Sequence, residues 1–277
     1  MAATPRVRLD ELVVQRGLAP TRSAARGLIM AGAVFVEGQV SDKAGTPVAV
    51  SSAITLKQRP RFVSRGGEKL DHALHAFGVH VAGLSALDVG ASTGGFVDCL
   101  LQAGATRIIA LDVGRGQLDS RLRANERVSV LEKVNARYLE PGILPFVPEI
   151  LTMDVSFISV AKILPAVMTC MDPVCTGVIL IKPQFEAGPK QVGKGGIVRD
   201  PAVHLEVLLG LARFVVRELD ADLLGVTDSG LPGTDGNVEY FFHVGRGGEK
   251  GHGLDTLEEL VGATVARIMD IQTTGEA

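Results

Sequence analysis

The stretch LDVGASTGGF, residues 87–96, places three glycines directly after an apolar run that contains Asp88. Glycines at this density let a chain turn sharply and bring its backbone close to a ligand. A dinucleotide-binding turn requires the spacing G-x-G-x-x-G, whereas the glycines here lie at positions 90, 94 and 95. The spacing therefore excludes the usual fingerprint of a pyrophosphate site.

The charge of Asp88 indicates which ligand the turn can hold. A carboxylate beside the turn repels a diphosphate and attracts a cation, such as the sulfonium and amino groups of S-adenosylmethionine. Asp112 ends the next apolar run, where it can accept hydrogen bonds from ribose hydroxyls, and Asn135 follows a third run. We predict S-adenosyl-L-methionine as the cofactor, with Asn135 near its adenine. The predicted cofactor-binding residues are Asp88, Gly90, Ala91, Ser92, Thr93, Gly94, Asp112 and Asn135.

Short apolar runs alternate with segments of helical period beyond Ser64. This alternation is typical of an α/β domain, in which helices cover both faces of a mostly parallel sheet. The predicted strands are Ala86–Val89, Arg107–Asp112, Val128–Glu132, Ile150–Asp154, Val178–Lys182, Leu223–Thr227 and Tyr240–Val244. The predicted helices include Gly95–Ala103, Ile158–Met168 and His204–Glu218. Because ligands bind at the carboxyl ends of parallel strands, charged residues at those ends should line one crevice.

Four charged residues are candidates for catalysis at that crevice. Asp154 and Lys182 end predicted strands. Lys69 follows two glycines at the start of a predicted helix, and Glu239 precedes a late strand. A ribose 2′-hydroxyl is a poor nucleophile at neutral pH, so its methylation benefits from a partner that takes up its proton. We expect the Lys182 amine to be that partner and the two carboxylates to orient both lysines; ordinary surface charges are the alternative.

The first 60 residues carry eight Lys or Arg against four Asp or Glu, although the whole chain has a net charge of −3. Apolar residues at helical spacing, a helix start at Thr21 or Ser23 and the turn at residues 37–38 predict a small α+β domain with two short helices and a hairpin. Its basic residues can contact the phosphates of an RNA, although a solvated basic face explains the same charges. The candidate RNA-binding residues are Arg6, Arg8, Arg22 and Arg26.

The segment EAGPKQVGKGGIVRD, residues 186–200, is rich in glycine and contains Lys190, Lys194 and Arg199. Because it follows Lys182 directly, we predict that it acts as a lid that clamps RNA. A mobile surface loop is the alternative interpretation.

Several classes of protein are excluded by composition. No apolar run approaches the roughly 18 residues of a membrane-spanning helix, and the N-terminus lacks the apolar segment of a secretory signal. We therefore expect a cytoplasmic protein. The three cysteines predict neither a disulfide framework nor a zinc site, and we expect no metal.

Six motifs together resemble the TlyA family, which is similar to the FtsJ-type RNA 2′-O-methyltransferases. These motifs are VSRGGEKL, LDVGASTGGF, LDVGRGQL, MDVSFIS, LIKPQFEAGPKQVGKGGIVRD and GNVEYFF. The N-terminal stretch RLDELVVQRGLAPTRSAARGLIMAGAVFVEGQ resembles the alpha-L RNA-binding module of a ribosomal small-subunit protein. The likeness covers nearly the whole chain.

This resemblance implies an N-terminal RNA-binding domain followed along the chain by a Rossmann-like methyltransferase domain with a seven-stranded, mostly parallel sheet. It implies two domains, and the mixture of Gly, Pro and Ser in residues 41–63 places them at 1–58 and 64–277, with a linker at 59–63. It also implies a catalytic tetrad at Lys69, Asp154, Lys182 and Glu239, which methylates cytidine ribose in 16S and 23S rRNA within ribosomal subunits and thereby affects susceptibility to cyclic peptide antibiotics. We expect a monomer that binds no membrane. Two alternatives are a membrane-active haemolysin, a label some members carry, and a non-catalytic ribosome-assembly factor that binds RNA.

Overall fold

The computed structural model describes residues 5–57, 60–233, 235–248 and 250–274. The chain divides into two compact units, Met1–Pro60 and Arg61–Ala277. Residue 58, where the predicted N-terminal domain ends, and residue 59, where the predicted linker begins, lie outside the described residues.

The smaller unit contains two helices and two small antiparallel sheets among its described residues. Its elements are β1 Arg6–Arg8, α1 Leu9–Gln15, α2 Arg22–Met30, β2 Val34–Val36, β3 Gln39–Val40, β4 Pro47–Ala49 and β5 Ile54–Leu56. Strand β1 pairs with β4, and the other sheet has the order β3-β2-β5. Thr21 caps α2 by accepting a hydrogen bond from the Ala24 backbone N–H. The predicted helices and hairpin are therefore present, and Thr21 rather than Ser23 is the cap.

A seven-stranded sheet forms the centre of the larger unit. Its strands are β6 Ser85–Val89, β7 Arg107–Asp112, β8 Val128–Glu132, β9 Ile150–Met153, β10 Cys175–Ile181, β11 Asp222–Asp228 and β12 Tyr240–Arg246. They have the order β11-β12-β10-β9-β6-β7-β8. Strand β12 is antiparallel to its neighbours β11 and β10, whereas β10, β9, β6, β7 and β8 are parallel to one another. This arrangement confirms the predicted seven-stranded, mostly parallel sheet.

Helices cover both faces of this sheet. They are α3 Arg65–Phe77, α4 Gly95–Gln102, α5 Ser120–Arg123, α6 Leu164–Thr169, α7 Pro183–Glu186, α8 Pro201–Glu218 and α9 Leu254–Thr274. Side chains alternate between two apolar cores: Leu87 of β6 packs with α6, α8 and α9, while Ala86 packs with α3 and α4. This period of two is what a strand buried on both faces requires.

The ends of most predicted strands and helices shift by no more than three residues, and the structure corrects two further predictions. The predicted helix at 158–168 is instead a 3-10 turn at Val160–Lys162 followed by α6. Pro165 explains the break, because a proline ring inside a continuous helix would clash with the carbonyl one turn earlier. Phe62, which the prediction assigned to the linker, is buried in the core of the larger unit. A Cβ on Gly67 would lie only 2.3 Å from the Phe62 ring, so close packing here requires glycine.

Among the described residues, no helix is long and apolar enough to cross a bilayer.

Candidate active site

The glycine turn lies at the carboxyl edge of the sheet, between β6 and α4. Gly90 and Gly94 have φ angles of +86° and +96°, in the left-handed region that favours glycine. A Cβ on Gly90 would lie 2.2 Å from the backbone oxygen of Asp154. The turn therefore packs directly against the residue after β9, and a side chain at position 90 would separate them.

Replacing Gly90 by Ala should destabilise the larger unit by about 1–3 kcal/mol or more, because strain at positive φ adds to the clash with Asp154. The Gly116→Ala variant is a matched control, since Gly116 has φ +73° and open space where a Cβ would lie. Urea denaturation of both variants tests this prediction. Equal destabilisation would show that only backbone strain, and not the contact with Asp154, excludes a side chain.

Asp112 fixes the backbone on the far side of the turn. Its carboxylate oxygens accept hydrogen bonds from the backbone N–H groups of Ser92 (2.7 Å) and Gly114 (2.6 Å). Asn135 caps the 3-10 turn Ala136–Tyr138 through its Oδ1. The neighbouring Val134 N–H donates to the Asp112 carbonyl. The structure thus brings Asp112 beside both the glycine turn and the segment of Asn135.

Asp88 lies beside the glycine turn as predicted, and the structure buries its carboxyl group. It lies within β6 and is 1% exposed, and the Thr152 hydroxyl donates to its Oδ1 at 2.7 Å. Its Oδ2 is buried and has no hydrogen-bond partner among the described residues. Burial raises the pKa of Asp88 to about 8, and the charges of Asp154 and Asp112 act in the same direction. Burial therefore favours the neutral form of this side chain in the free protein.

The four predicted catalytic residues form two ion pairs. Lys69 Nζ lies 2.5 Å from Glu239 Oε2, and Lys182 Nζ lies 2.6 Å from Asp154 Oδ1. The first pair is almost completely buried. Lys69 was predicted at the start of a helix. It is the fifth residue of α3, and its side chain is buried. The second pair is more open, and Lys182 also donates to Ser156 Oγ at 3.0 Å.

Gln184, which sequence reasoning missed, contacts the buried ion pair. It lies two residues after Lys182, in α7, and its Nε2 donates to Glu239 Oε1 at 3.4 Å. Its Oε1 is buried and has no hydrogen-bond partner among the described residues. The only sequence signal was a polar residue between Pro183 and Phe185. The two ion pairs are neighbours because Ile181 and Tyr240, next to Lys182 and Glu239, are paired between β10 and β12. The Gln184 Oε1 is therefore a buried acceptor close to both.

A cleft of about 110 Å³ is lined by the glycine turn and Asp154, together with Ser64 and Gly66. A larger cavity, of about 480 Å³, opens where β10 begins and β12 ends, at the opposite edge of the sheet. We place the candidate site at the smaller cleft because the glycine turn and Asp154 line it, whereas none of the four candidate residues lines the larger cavity.

Phe157 is a second residue that the sequence reasoning missed. It is 89% exposed and has φ +64°, a strained conformation for a bulky residue. Its ring lies 4.9 Å from that of Phe185, centroid to centroid, and Lys182 Nζ lies 5.9 Å from the Phe185 ring. An aromatic surface therefore faces solvent beside the lysine of the open ion pair.

The predicted RNA-binding arginines of the smaller unit lie partly around one buried carboxylate. Arg8 and Arg22 contact Asp10 at 3.0 and 3.1 Å, and Arg22 also pairs with Glu11. The hydrogen bond from Arg8 is the main cause that lowers the pKa of Asp10 to about 2. Both guanidinium groups stay about half exposed. Arg6 and Arg26 are exposed, as are Lys190, Lys194 and Arg199 in the larger unit.

The sequence matches two family models and several known proteins over most of its length. Residues 62–246 match the model of the FtsJ-like methyltransferases, and residues 7–54 match that of the S4 domain. YqxC of Bacillus subtilis (strain 168) is 46% identical over 254 residues, which cover 91% of this chain and 90% of YqxC. The 16S/23S rRNA (cytidine-2′-O)-methyltransferase TlyA of Mycobacterium tuberculosis (strain ATCC 25618 / H37Rv) is 46% identical over 238 residues, 85% of this chain and 88% of TlyA.

A solved structure, named as a hemolysin from Streptococcus thermophilus, has 36% sequence identity and a TM-score of 0.72. The superposition covers 98% of this chain and 100% of that one. The fold and the match over residues 62–246 define a methyltransferase domain, which implies a methyl donor of the S-adenosylmethionine type. The chain belongs to the TlyA family of FtsJ-like methyltransferases, with an S4 domain near its N-terminus.

Proposed function

We propose that this protein transfers a methyl group from S-adenosyl-L-methionine to the 2′-oxygen of cytidine ribose in 16S and 23S rRNA. The observation that carries the proposal is the pair of adjacent ion pairs, Lys69–Glu239 and Lys182–Asp154, beside the glycine turn. The similarity to TlyA supports cytidine in both ribosomal RNAs as the target.

The residues at the carboxyl edge fit the proposed cofactor. The unpartnered Asp88 Oδ2 is an acceptor for a cationic or hydrogen-bonding group, and the turn of residues 90–94 has no side chain at Gly90 or Gly94. Asp112 and Asn135 are proposed to bind the ribose and the adenine. S-adenosyl-L-methionine supplies the methyl group as an electrophilic carbon.

The chain itself must hold the ribose hydroxyl in line and take up its proton. Lys182 is proposed to contact the 2′-oxygen, because it belongs to the more open ion pair. While the oxygen–carbon bond forms and the methyl–sulfur bond breaks, Lys182 can pass one of its protons to the Asp154 carboxylate and take up the hydroxyl proton in its place. In-line positioning of two reactants can contribute on the order of 7–11 kcal/mol. The buried Lys69–Glu239 pair is proposed to keep the neighbouring groups in place.

Recognition of the rRNA is proposed to be divided between the two units. In the S4 domain, Arg6, Arg8, Arg22 and Arg26 are proposed to contact phosphates. In the methyltransferase domain, the corresponding residues are Lys190, Lys194 and Arg199. We propose residues 1–58 as one functional domain and residues 64–277, together with the buried Phe62, as the other, in a monomer that acts on ribosomal subunits in the cytoplasm.

Mass mapping tests the proposed function. The purified protein is incubated with 30S and 50S subunits and isotopically labelled S-adenosylmethionine, and the rRNA is digested and analysed as nucleosides and fragments. We expect label in 2′-O-methylcytidine from both rRNAs. Label in a base, or no label, would contradict the proposal. Absence of S-adenosylmethionine binding in calorimetry would favour the non-catalytic assembly factor. Leakage of liposomes caused by the purified protein would favour the haemolysin.

Phe157 is expected to stack on a base of the substrate next to Lys182. Base–aromatic stacking contributes about 1–3 kcal/mol, so Phe157→Ala should raise KM for RNA about tenfold or more and leave S-adenosylmethionine affinity unchanged. Steady-state kinetics with ribosomal subunits measures this. Val174→Ala is the matched control, since Val174 is 60% exposed and precedes β10 at the opposite edge of the sheet. Equal kinetics of the two variants would exclude stacking.

A further inference from the structure

The loop of residues 187–200, here called the basic loop, joins α7 to α8 and carries Lys190, Lys194 and Arg199. Val198 is its buried residue, 2% exposed. Both backbone polar groups of Val198 are bound by side chains from other elements. Its N–H donates to Asn237 Oδ1 at 3.0 Å, and its carbonyl accepts from His204 Nε2 at 2.9 Å. The loop is thus fixed at one point while its basic side chains stay exposed.

Asn237 makes a second bond to the same loop. Its Nδ2 donates to the Gly196 carbonyl at 2.9 Å, and its side chain is almost completely buried. A single amide therefore accepts from Val198 and donates to Gly196, a combination that neither an acid nor a hydroxyl reproduces with the same geometry. This pair of bonds holds the glycine-rich tip of the loop.

His204 fixes the loop from the other side. It is fully buried in α8, and its Nδ1 lies 3.1 Å from the Tyr240 hydroxyl. Because a carbonyl can only accept, Nε2 carries the hydrogen and Nδ1 accepts from the Tyr240 O–H. Burial lowers the pKa of His204, which favours the neutral ring that this arrangement requires.

The residues that hold the basic loop lie on either side of Glu239 in the chain. Asn237 is two positions before it, and Tyr240, which begins β12, follows it directly. Glu239 itself pairs with Lys69. One short segment therefore contacts the loop through Asn237, the loop-binding His204 through Tyr240, and the buried ion pair through Glu239. Any displacement of the loop anchor acts on the backbone that carries Glu239.

We propose that Asn237, His204 and Tyr240, here called the clasp, are positioning residues that hold the basic loop for contact with RNA phosphates and couple its position to Glu239. The proposal rests on the proposed function for its substrate. Ordering a free loop on binding costs conformational entropy, so a loop fixed in advance binds a polyanion more tightly. The clasp does not touch the reacting atoms.

Limited trypsin digestion of the full chain, without RNA, tests the clasp. Mass spectrometry measures cleavage after Lys190, Lys194 and Arg199 relative to cleavage elsewhere. Asn237→Ala and His204→Ala should accelerate loop cleavage about tenfold or more, because each leaves a buried backbone group of Val198 unpaired. His204→Gln should restore slow cleavage, since its amide Nε2 can donate to the Val198 carbonyl. Thr176→Val, which removes a half-buried bond at the opposite edge of the sheet, is the control.

Kinetics with ribosomal subunits separates positioning from general stability. Asn237→Ala should raise KM for RNA about tenfold or more, with a smaller loss in kcat and unchanged S-adenosylmethionine affinity. Loop cleavage no faster than in the control, or an equal increase at all sites without rescue by His204→Gln, would overturn the proposal. If the wild-type protein methylates no rRNA, the proposed function fails, while the cleavage rates still decide whether the clasp holds the loop.

Discussion

The Lys182→Ala variant is expected to methylate rRNA more slowly by a factor of about 10²–10⁴, the usual contribution of one group that handles a proton in the transition state. The structural reason is that Lys182 Nζ contacts both Asp154 and Ser156, so its removal leaves the 2′-oxygen without the group that takes up its proton. Single-turnover transfer of labelled methyl groups to ribosomal subunits measures the loss.

The controls for this experiment separate chemistry from binding. Affinity for S-adenosylmethionine should change little, because none of the predicted cofactor contacts involves the Lys182 amine. Lys250→Ala removes an exposed lysine that follows β12 at the opposite edge of the sheet and should transfer methyl groups like the wild type. Wild-type rates in Lys182→Ala would exclude the proposed role of the open ion pair.

The Lys182–Asp154 pair also shows how far sequence reasoning extends. Both residues directly follow apolar runs, and the runs form β9 and β10, which are parallel neighbours. Parallel neighbours end at the same edge, so two charges in these positions have to lie close together. The strand pattern alone therefore predicts this contact. The same logic placed Asp112 beside the glycine turn.

Other parts of the site depend on packing that no local pattern encodes. Lys69 and Glu239 lie 170 positions apart, and their contact requires α3 to pack across the sheet. The sequence analysis grouped both residues with Asp154 and Lys182 but did not predict which lysine pairs with which carboxylate. The protonation of Asp88 depends on complete burial between neighbouring strands, and the strained backbone of Phe157 depends on the path of the chain between β9 and α6. Gln184 and Asn237 are amides whose roles depend on partners 55 and 39 positions away.

Asp88 provides the second prediction with a large effect, because its carboxyl group should make stability depend on pH. Its pKa is about 8 in the folded protein, raised mainly by burial, against 3.8 for an unperturbed aspartate. Between these values the folded state keeps a proton that the unfolded state loses. The contribution of Asp88 to stability is therefore full below about pH 4 and decreases as pH rises towards 8.

The Asp88→Asn variant resembles the neutral acid, since its Oδ1 can still accept from Thr152. It should lack this pH dependence, so its stability relative to the wild type should increase by roughly 1.4 kcal/mol per pH unit between pH 5 and pH 8. Urea denaturation at several pH values measures the difference. For the control Asp220→Asn, which neutralises an exposed carboxylate, the curve of unfolding free energy against pH should run parallel to that of the wild type. Parallel curves for Asp88→Asn would show that Asp88 is ionised in the fold.

The same substitution should weaken cofactor binding although it stabilises the free protein. A cationic ligand at the unpartnered Oδ2 favours the ionised carboxyl group, so binding of S-adenosylmethionine should release a proton from the wild type at pH 7 and none from this position in Asp88→Asn. Calorimetry in buffers of different ionisation enthalpy counts the protons, independently of methyl transfer. Affinity should fall at least about tenfold in the variant. Unchanged affinity and proton release would mean that the cation contacts a different group, and that Asp88 serves only to join β6 to β9 through Thr152.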